Sequence, residues 1–172
     1  MKVAAAILIV VAALVAAAWF RTRSRQAPIK FESTEQFVEW LAAEAVKDAS
    51  ENNHVQLNYS VDSIKQVEQV LGGLHDQYAK NPASVSAKGP GSAYGAYIGE
   101  VIRRTEPGAH WQRDGEMGEK TYPIVWGPTQ GHSYPMAWCA HRIENGPEDN
   151  VWMKYYALKN NLLQQARDAR KR

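Results

Sequence analysis

Residues 93–104, with the sequence AYGAYIGEVIRR, decide the fold of this chain. Their larger apolar side chains recur with the i, i+3, i+4, i+7 spacing of one helix face. The members of this face are Tyr94, Tyr97, Ile98, Val101 and Ile102. Gly95 and Gly99 lie one turn apart, and a glycine inside a helix costs about 1 kcal/mol relative to alanine. We therefore predict a central helix whose glycines let a neighbouring backbone approach closely; the alternative is two neutral surface glycines.

The flanks of this stretch predict where the central helix begins and ends. Residues 89–91, Gly-Pro-Gly, are typical of a break, and Ser92 after them is a candidate N-cap. The Pro-Gly pair at 107–108 predicts the end of the helix. Arg103 and Arg104 then occupy its last turn, where positive charge suits the helix dipole.

The charge of the chain is unevenly distributed. The 172 residues contain 20 Lys/Arg and 18 Asp/Glu, a net charge of +2. Residues 1–30 carry +5, residues 167–172 carry +3 and the body between them carries −6. An acidic body argues against a nucleic-acid-binding face, so we predict no nucleic-acid partner. A single cysteine, Cys139, excludes a disulfide within the chain.

Residues 3–20 form an uncharged run with the sequence VAAAILIVVAALVAAAWF. As a helix this run would span about 27 Å, close to the roughly 30 Å hydrocarbon core of a bilayer. Trp19 and Phe20 lie where an aromatic belt is expected, and arginines follow directly. We predict a single-pass transmembrane helix. A signal peptide cleaved near residues 16–18, Ala-Ala-Ala, is an alternative.

The orientation of this anchor follows from the basic residues on its two sides. Lys2 precedes the run, and the later flank holds Arg21, Arg23, Arg25 and Lys30. Because the more basic flank stays inside, we expect the globular domain to be cytoplasmic, with the opposite orientation as an alternative. An outward-facing domain would instead fit binding of cell-wall glycan by exposed tryptophans.

The rest of the chain predicts a mostly helical α+β domain with a small antiparallel sheet. Its divisions are an anchor at 1–20, a basic linker at 21–31, the domain at 32–166 and a basic tail at 167–172. Apolar periodicity predicts further helices that begin at Ser33 or Thr34, at Ser60 or Asp62, at Pro135, and at Pro147 as the first residue of the last helix. Alternating or aromatic runs predict strands at 55–59, 109–112 and 121–126, the last two as a hairpin with Pro123 at a sheet edge.

Two motifs carry a resemblance to a known group. They are GAYIGEVIRR at 95–104 and RIENGPED at 142–149, and a tryptophan-containing strand lies between them. The set resembles a group of small bacterial domains of unknown function, over roughly residues 55–160. The resemblance implies a shared fold and no particular activity. With the anchor in front, it indicates a protein of the bacterial inner membrane.

The segment 126–138, WGPTQGHSYPMAW, is the candidate recognition surface, because large rings with polar atoms are typical of partner-binding sites. The candidate binding residues are Trp126, His132, Tyr134 and Trp138. We expect Trp138 to be buried, and Trp126 or Tyr134 to be exposed. The alternative is a loop that covers the domain's own core. The function that follows is a membrane-tethered, non-catalytic binding or interaction module with a protein partner.

An enzyme is the alternative function. Its acid and base groups would be His132 and His141 with Glu144 or Asp149. The sequence contains no nucleophile elbow, phosphate-binding loop, zinc-protease or dinucleotide motif. We predict no cofactor and no metal, since the histidines lack ligand spacing. Cys139, beside Trp138, is expected to be a small core side chain.

Overall fold

A computed structural model describes residues 29–169 of the chain, and the side chains of residues 29–164. The chain divides into two units at residue 31, and the described structure belongs almost entirely to the second of them. The predicted span at 3–20 lies outside the described residues. Within the described residues, no helix has the length and apolar character needed to cross a bilayer.

The second unit is mostly helical and contains a small antiparallel sheet, as predicted for an α+β domain. The elements in chain order are α1 (Thr34–Asn53), α2 (Ser63–Lys80), α3 (Lys88–Thr105), β1 (His110–Trp111), β2 (Ile124–Trp126), β3 (Gly131–Ser133), α4 (Pro135–Asn145), a 3-10 turn (Pro147–Asp149) and α5 (Val151–Ala169). The strand order is β1-β2-β3, and both pairs are antiparallel.

Helix α3 is the central helix and packs against α1 and α4. Every residue from Tyr94 to Ile102 is buried. A Cβ atom on Gly95 would lie 2.3 Å from the Met136 Cα atom of α4, so the predicted close approach of a backbone is confirmed there. At Gly99 the close neighbour is instead the ring of Trp111, whose Cη2 atom would lie 2.1 Å from such a Cβ.

The predicted start of α3 is wrong by one turn. The helix begins at Lys88, Ala87 is its N-cap, and no side chain caps it. Pro90 is tolerated because it lies in the first turn, where a backbone N–H has no helical partner. The Gly91 N–H already donates to the Ala87 carbonyl at 2.9 Å, so Ser92 lies inside the helix.

The predicted strand at 55–59 is also wrong. This segment has no strand partner, and Leu57 is buried against the helices. The Tyr59 N–H donates to the Tyr97 hydroxyl of α3 at 2.7 Å. Tyr59 itself has φ +59°, which is incompatible with a regular strand.

The hairpin of β1 and β2 is confirmed, but two details of the sheet differ from the prediction. Strand β3 extends the sheet with residues 131–133, which makes β2 the central strand. Pro123 therefore does not mark an edge. It precedes β2, and its carbonyl accepts the Gln112 N–H at 3.0 Å, for which no proline N–H is needed.

Helix α1 buries small side chains, and α5 begins later than predicted. The buried face of α1 is Val38, Ala42, Ala45 and Ala49, and Phe37 and Leu41 are half-buried beside it. Pro147 opens the 3-10 turn and not α5. Asn150 caps the start of α5, since its side-chain oxygen accepts the Met153 N–H at 2.8 Å.

A buried ion pair fixes α4 relative to α2 and α5. The Arg142 Nε atom donates to Glu68 at 2.6 Å, and the other Glu68 oxygen accepts the Val151 N–H at 2.8 Å. Both side chains are largely buried. The arginine of the RIENGPED motif therefore has a structural partner and positions the helix that carries Tyr134 at its start.

Candidate binding groove

Trp126 belongs to the core, contrary to the expectation that it could be the exposed ring of its segment. Its side chain is 2% exposed, and its Nε1–H donates to the Ser133 hydroxyl at 2.9 Å. The Tyr155 ring of α5 stacks on it, with ring centroids 6.1 Å apart. Burial raises the pKa of Tyr155 to about 12.

The other three candidate binding residues are half-buried. Trp138 was expected to be buried but packs only partly against the core. His132 lies in β3, and Tyr134 follows the strand as the N-cap residue of α4. Their rings meet edge-on with centroids 6.5 Å apart. The structure therefore brings His132 and Tyr134 together and separates Trp126 from them.

Among the described residues, His132 and Tyr134 share with Arg142 alone a buried polar side-chain atom that has no hydrogen-bond partner; in Arg142 this atom is Nη1, beside the ion pair with Glu68. The Nδ1 atom of His132 and the hydroxyl of Tyr134 are buried, and neither has a hydrogen-bond partner in the described part of the chain. The nearest carboxylate oxygen to His132 belongs to Glu116, at 4.0 Å. Leaving a buried polar atom unpaired costs about 1–3 kcal/mol. Gly115 makes room for the Tyr134 hydroxyl, since a Cβ there would lie 2.7 Å from that oxygen.

Tyr134 lines a groove of about 430 Å³. Its walls are the loop between β1 and β2, the first turns of α3, one face of α4 and Phe37 of α1. The close packing of Gly91 against Ala140 and of Gly95 against Met136 brings the start of α3 onto this face of α4. The volume is within the range of natural ligand pockets.

The loop wall of the groove contains two strained residues. Lys120 has φ +55° and Tyr122 has φ +46°, although neither is glycine. The loop holds both conformations in place: the Lys120 N–H donates to Asp114 Oδ1 at 2.8 Å and the Tyr122 N–H donates to the Arg113 carbonyl at 3.1 Å. Left-handed backbone at bulky residues costs roughly 1–2 kcal/mol each and is concentrated at ligand clamps.

The lining of the groove is apolar with charges at its sides. The Tyr122 ring contacts Phe37 with centroids 4.9 Å apart, and Met136 and the 62%-exposed Met117 continue this apolar surface. Three charged side chains also line the groove, namely Lys88, Lys120 and Glu144. Among the described residues none of the three forms a salt bridge. The groove can therefore bind an apolar group together with an anion.

The acid and base groups of the alternative enzyme hypothesis are not joined by hydrogen bonds in the described residues, although His141 lies close enough to Asp149 to contribute to the lowering of its pKa. His141 is exposed on α4, and Glu144 lines the groove. Asp149 accepts hydrogen bonds from Lys154 and Asn145, which hold its pKa below the usual range. No hydrogen bond or ion pair in residues 29–164 joins either candidate histidine to these carboxylates.

A second polar cluster lies at the other end of α3, around the fully buried Glu100. One Glu100 oxygen accepts from Arg103 Nε at 2.7 Å and from Trp111 Nε1 at 2.9 Å. The other accepts from Arg103 Nη2 at 2.7 Å and from Arg104 Nε at 3.2 Å. Burial opposes ionisation of Glu100, but these donors outweigh it and lower the pKa of the carboxyl. Both oxygens are satisfied, so this cluster supports the fold.

Cys139 is fully buried on α4, as expected for a core side chain. Burial raises the pKa of its thiol well above the usual range. Across the part of the chain that the structure describes, no group of three or more metal-ligating side chains is placed to hold an ion.

Sequence reasoning missed most of the groove. Tyr134 was the one lining residue among the candidate binding residues, and Lys88, Lys120, Tyr122 and Met136 were not identified. The available signal was the hairpin connection between β1 and β2, which is longer than the usual two to five residues and so marks a functional loop.

Comparison with known proteins identifies no relative: no family model, curated protein or solved structure matches this chain. The resemblance of the 95–104 and 142–149 motifs to small bacterial domains therefore stays a prediction.

Proposed function

We propose that this protein is a membrane-tethered, non-catalytic binding module whose groove takes an acidic, apolar segment of a protein partner. Residues 3–20 would anchor it in the bacterial inner membrane, with the domain on the cytoplasmic side. The length of the run and the arginines after it support this placement.

The observation that carries the proposal is the strained wall of the groove. Lys120 and Tyr122 are both held in left-handed backbone, and both line the groove. Such strain lowers the stability of the fold and persists when the local structure has another use. Among the described residues, three other non-glycine residues have positive φ, namely His54, Tyr59 and Gln130, and none of them lines the groove. The occurrence of two such residues in this one loop supports a role in what the loop presents to the groove.

The lining chemistry indicates the kind of segment that would bind. Met117 and Met136 are adaptable apolar side chains of the type used at peptide-binding surfaces. Lys88 and Lys120 offer two positive charges against the one negative charge of Glu144, on a domain whose body carries −6. An acidic segment would thus be attracted at the groove and repelled by most of the remaining surface.

Charge reversal in the groove tests the proposal. Full-length protein is used to capture partners from detergent-solubilised membranes of its own host. Each substitution replaces an attraction for an acidic segment by a repulsion. The double variant Lys88→Glu with Lys120→Glu should therefore reduce capture by about tenfold. The matched control is Lys47→Glu with Lys80→Glu, two exposed lysines on α1 and α2 outside the groove. Undiminished capture by the groove variant, or equal loss in the control, would overturn the proposal.

A further inference from the structure

Helix α5 has one packed face and one exposed face that is not polar. Val151 and Tyr155 are buried, and Leu158 and Leu162 are half-buried along the packed face. Three large apolar side chains are instead turned to solvent. They are Met153, Tyr156 and Leu163, which are 57%, 51% and 45% exposed.

These three residues form a line along the helix. Together with Asn160 they occupy positions i, i+3, i+7 and i+10, which cover about 80° of the helix circumference. Among the residues that the structure describes, six large apolar side chains are exposed, and half of them lie on this one stripe. Exposed apolar residues gathered in this way mark a surface that contacts something else.

The aromatic residues at the start of the stripe resemble those at a bilayer interface. The half-buried Trp152 ring lies 5.9 Å from the Tyr156 ring, measured between centroids. The Lys65 ammonium sits over the Trp152 ring, 4.6 Å from its centroid. Tryptophan and tyrosine combine an apolar body with a polar atom and are enriched where water meets lipid.

The basic residues at the end of the sequence favour an anionic partner for this surface. The sequence 167–172 carries +3, and it contains the last residues of α5 and the chain end. An apolar helix face joined to a basic segment is the pattern of helices that lie in the surface of anionic membranes. A second copy of the chain is a poorer fit, because three side chains on one helix provide far less than the roughly 1,200 Å² of a stable interface.

We propose that the exposed stripe of α5, Met153, Tyr156 and Leu163, lies against the anionic lipid surface of the membrane that holds the protein. This inference rests on the tether of the proposed function and does not depend on the groove. A stripe of this size binds lipid weakly by itself. A chain anchored through a short linker meets the membrane at a high effective concentration, so a weak contact becomes occupied.

Site-directed fluorescence tests this contact in the full chain. Leu163→Cys carries an environment-sensitive fluorophore, since the buried Cys139 thiol is inaccessible to the reagent. The protein is reconstituted into vesicles of phosphatidylcholine, or of phosphatidylcholine with phosphatidylglycerol, each doped with nitroxide lipid. The control is the same label at Ala43→Cys, an exposed position on α1.

The label at 163 should be quenched by nitroxide lipid in the anionic vesicles, and the label at 43 should not. Replacing Arg167, Arg170, Lys171 and Arg172 by Gln should weaken lipid contact about fivefold per charge and reduce quenching to that in phosphatidylcholine. An unquenched label at 163, quenching equal in both lipids, or a signal that follows protein density and not lipid would each overturn the contact. Resistance to carbonate extraction reports the tether separately: extracted protein would overturn the proposed anchor, and an unquenched label at 163 in protein that resists extraction would overturn the contact alone.

Discussion

The two ends of α3 contain polar clusters that differ in how their buried atoms are satisfied. Around Glu100 both carboxylate oxygens have donors at 2.7–3.2 Å. Near the start of α3, the groove is lined by Tyr134, whose buried hydroxyl has no partner in the described residues. Folded proteins leave few buried polar atoms unpaired, so the second cluster requires an explanation that the first does not.

The backbone differs less sharply between the two clusters. The Glu100 cluster is built on a regular helix and on β1, and the Arg104 guanidinium lies 3.6 Å from the ring centroid of Tyr59, which is itself left-handed with φ +59°. The groove wall contains Lys120 and Tyr122 in left-handed conformation. One cluster stabilises the fold, and the other lowers its stability at the place where a ligand could bind. The pairing of the buried atoms therefore distinguishes the Glu100 carboxylate from the Tyr134 hydroxyl without any comparison to relatives.

The largest expected effect is a loss of stability when Gly99, which packs against Trp111 of the Glu100 cluster, is replaced. Gly99→Leu would drive a side chain into the Trp111 ring, which donates to Glu100, and should lower the free energy of unfolding by more than about 3 kcal/mol. The matched control is Gly73→Leu on α2, where a Cβ meets nothing within 4 Å. Urea melts measure both. A midpoint for Gly99→Leu that equals the control would refute the close packing of α3.

A smaller effect is expected when the charge of the cluster is removed. Glu100→Gln keeps the shape but weakens bonds to two arginines that are partly exposed, and should cost about 2 kcal/mol at neutral pH. The pKa of Glu100 is lowered in the fold, so its contribution is present above the ordinary value of 4.5 and is lost as pH falls through the lower folded pKa.

The pH dependence gives this prediction its own check. The difference in stability between wild type and Glu100→Gln should shrink below pH 4.5, when melts are repeated across the acid range. A difference that stays constant down to the lowest pH would show that the carboxylate charge contributes nothing to the fold.

The sequence predicted the central features of the fold because they depend on local periodicity. The apolar spacing of 94–102 located α3, and Gly95 predicted the close approach of a neighbouring backbone, which α4 provides. Strand β3 was missed because Gly131-His132-Ser133 has little β-propensity of its own, and its pairing with β2 creates the strand. The strand prediction for 55–59 was wrong for the opposite reason. Its alternating apolar side chains pack against helices and not within a sheet.

The candidate site was less predictable because it is assembled from distant segments. Tyr134 could be singled out as an aromatic residue in a loop-rich stretch, and it does line the groove. Lys88 and Lys120 are 32 positions apart and ordinary in their local sequence, so only tertiary structure places them on one groove. The left-handed backbone of Lys120 is likewise imposed by the fold, since its sequence neighbours carry no turn signal for it.

The most direct test of the contrast compares two tyrosine hydroxyls. Tyr97→Phe removes a hydroxyl that bonds the Ser63 side chain at 2.6 Å and the Tyr59 N–H at 2.7 Å, and should cost about 1–3 kcal/mol while leaving partner capture unchanged. Tyr134→Phe removes an unpaired hydroxyl and should leave the urea midpoint unchanged or slightly raised, whereas Tyr134→Ala removes the ring that lines the groove and should reduce capture. Loss of stability in Tyr134→Phe equal to that in Tyr97→Phe, with capture intact in Tyr134→Ala, would contradict the assignment of this residue to the groove and not to the fold.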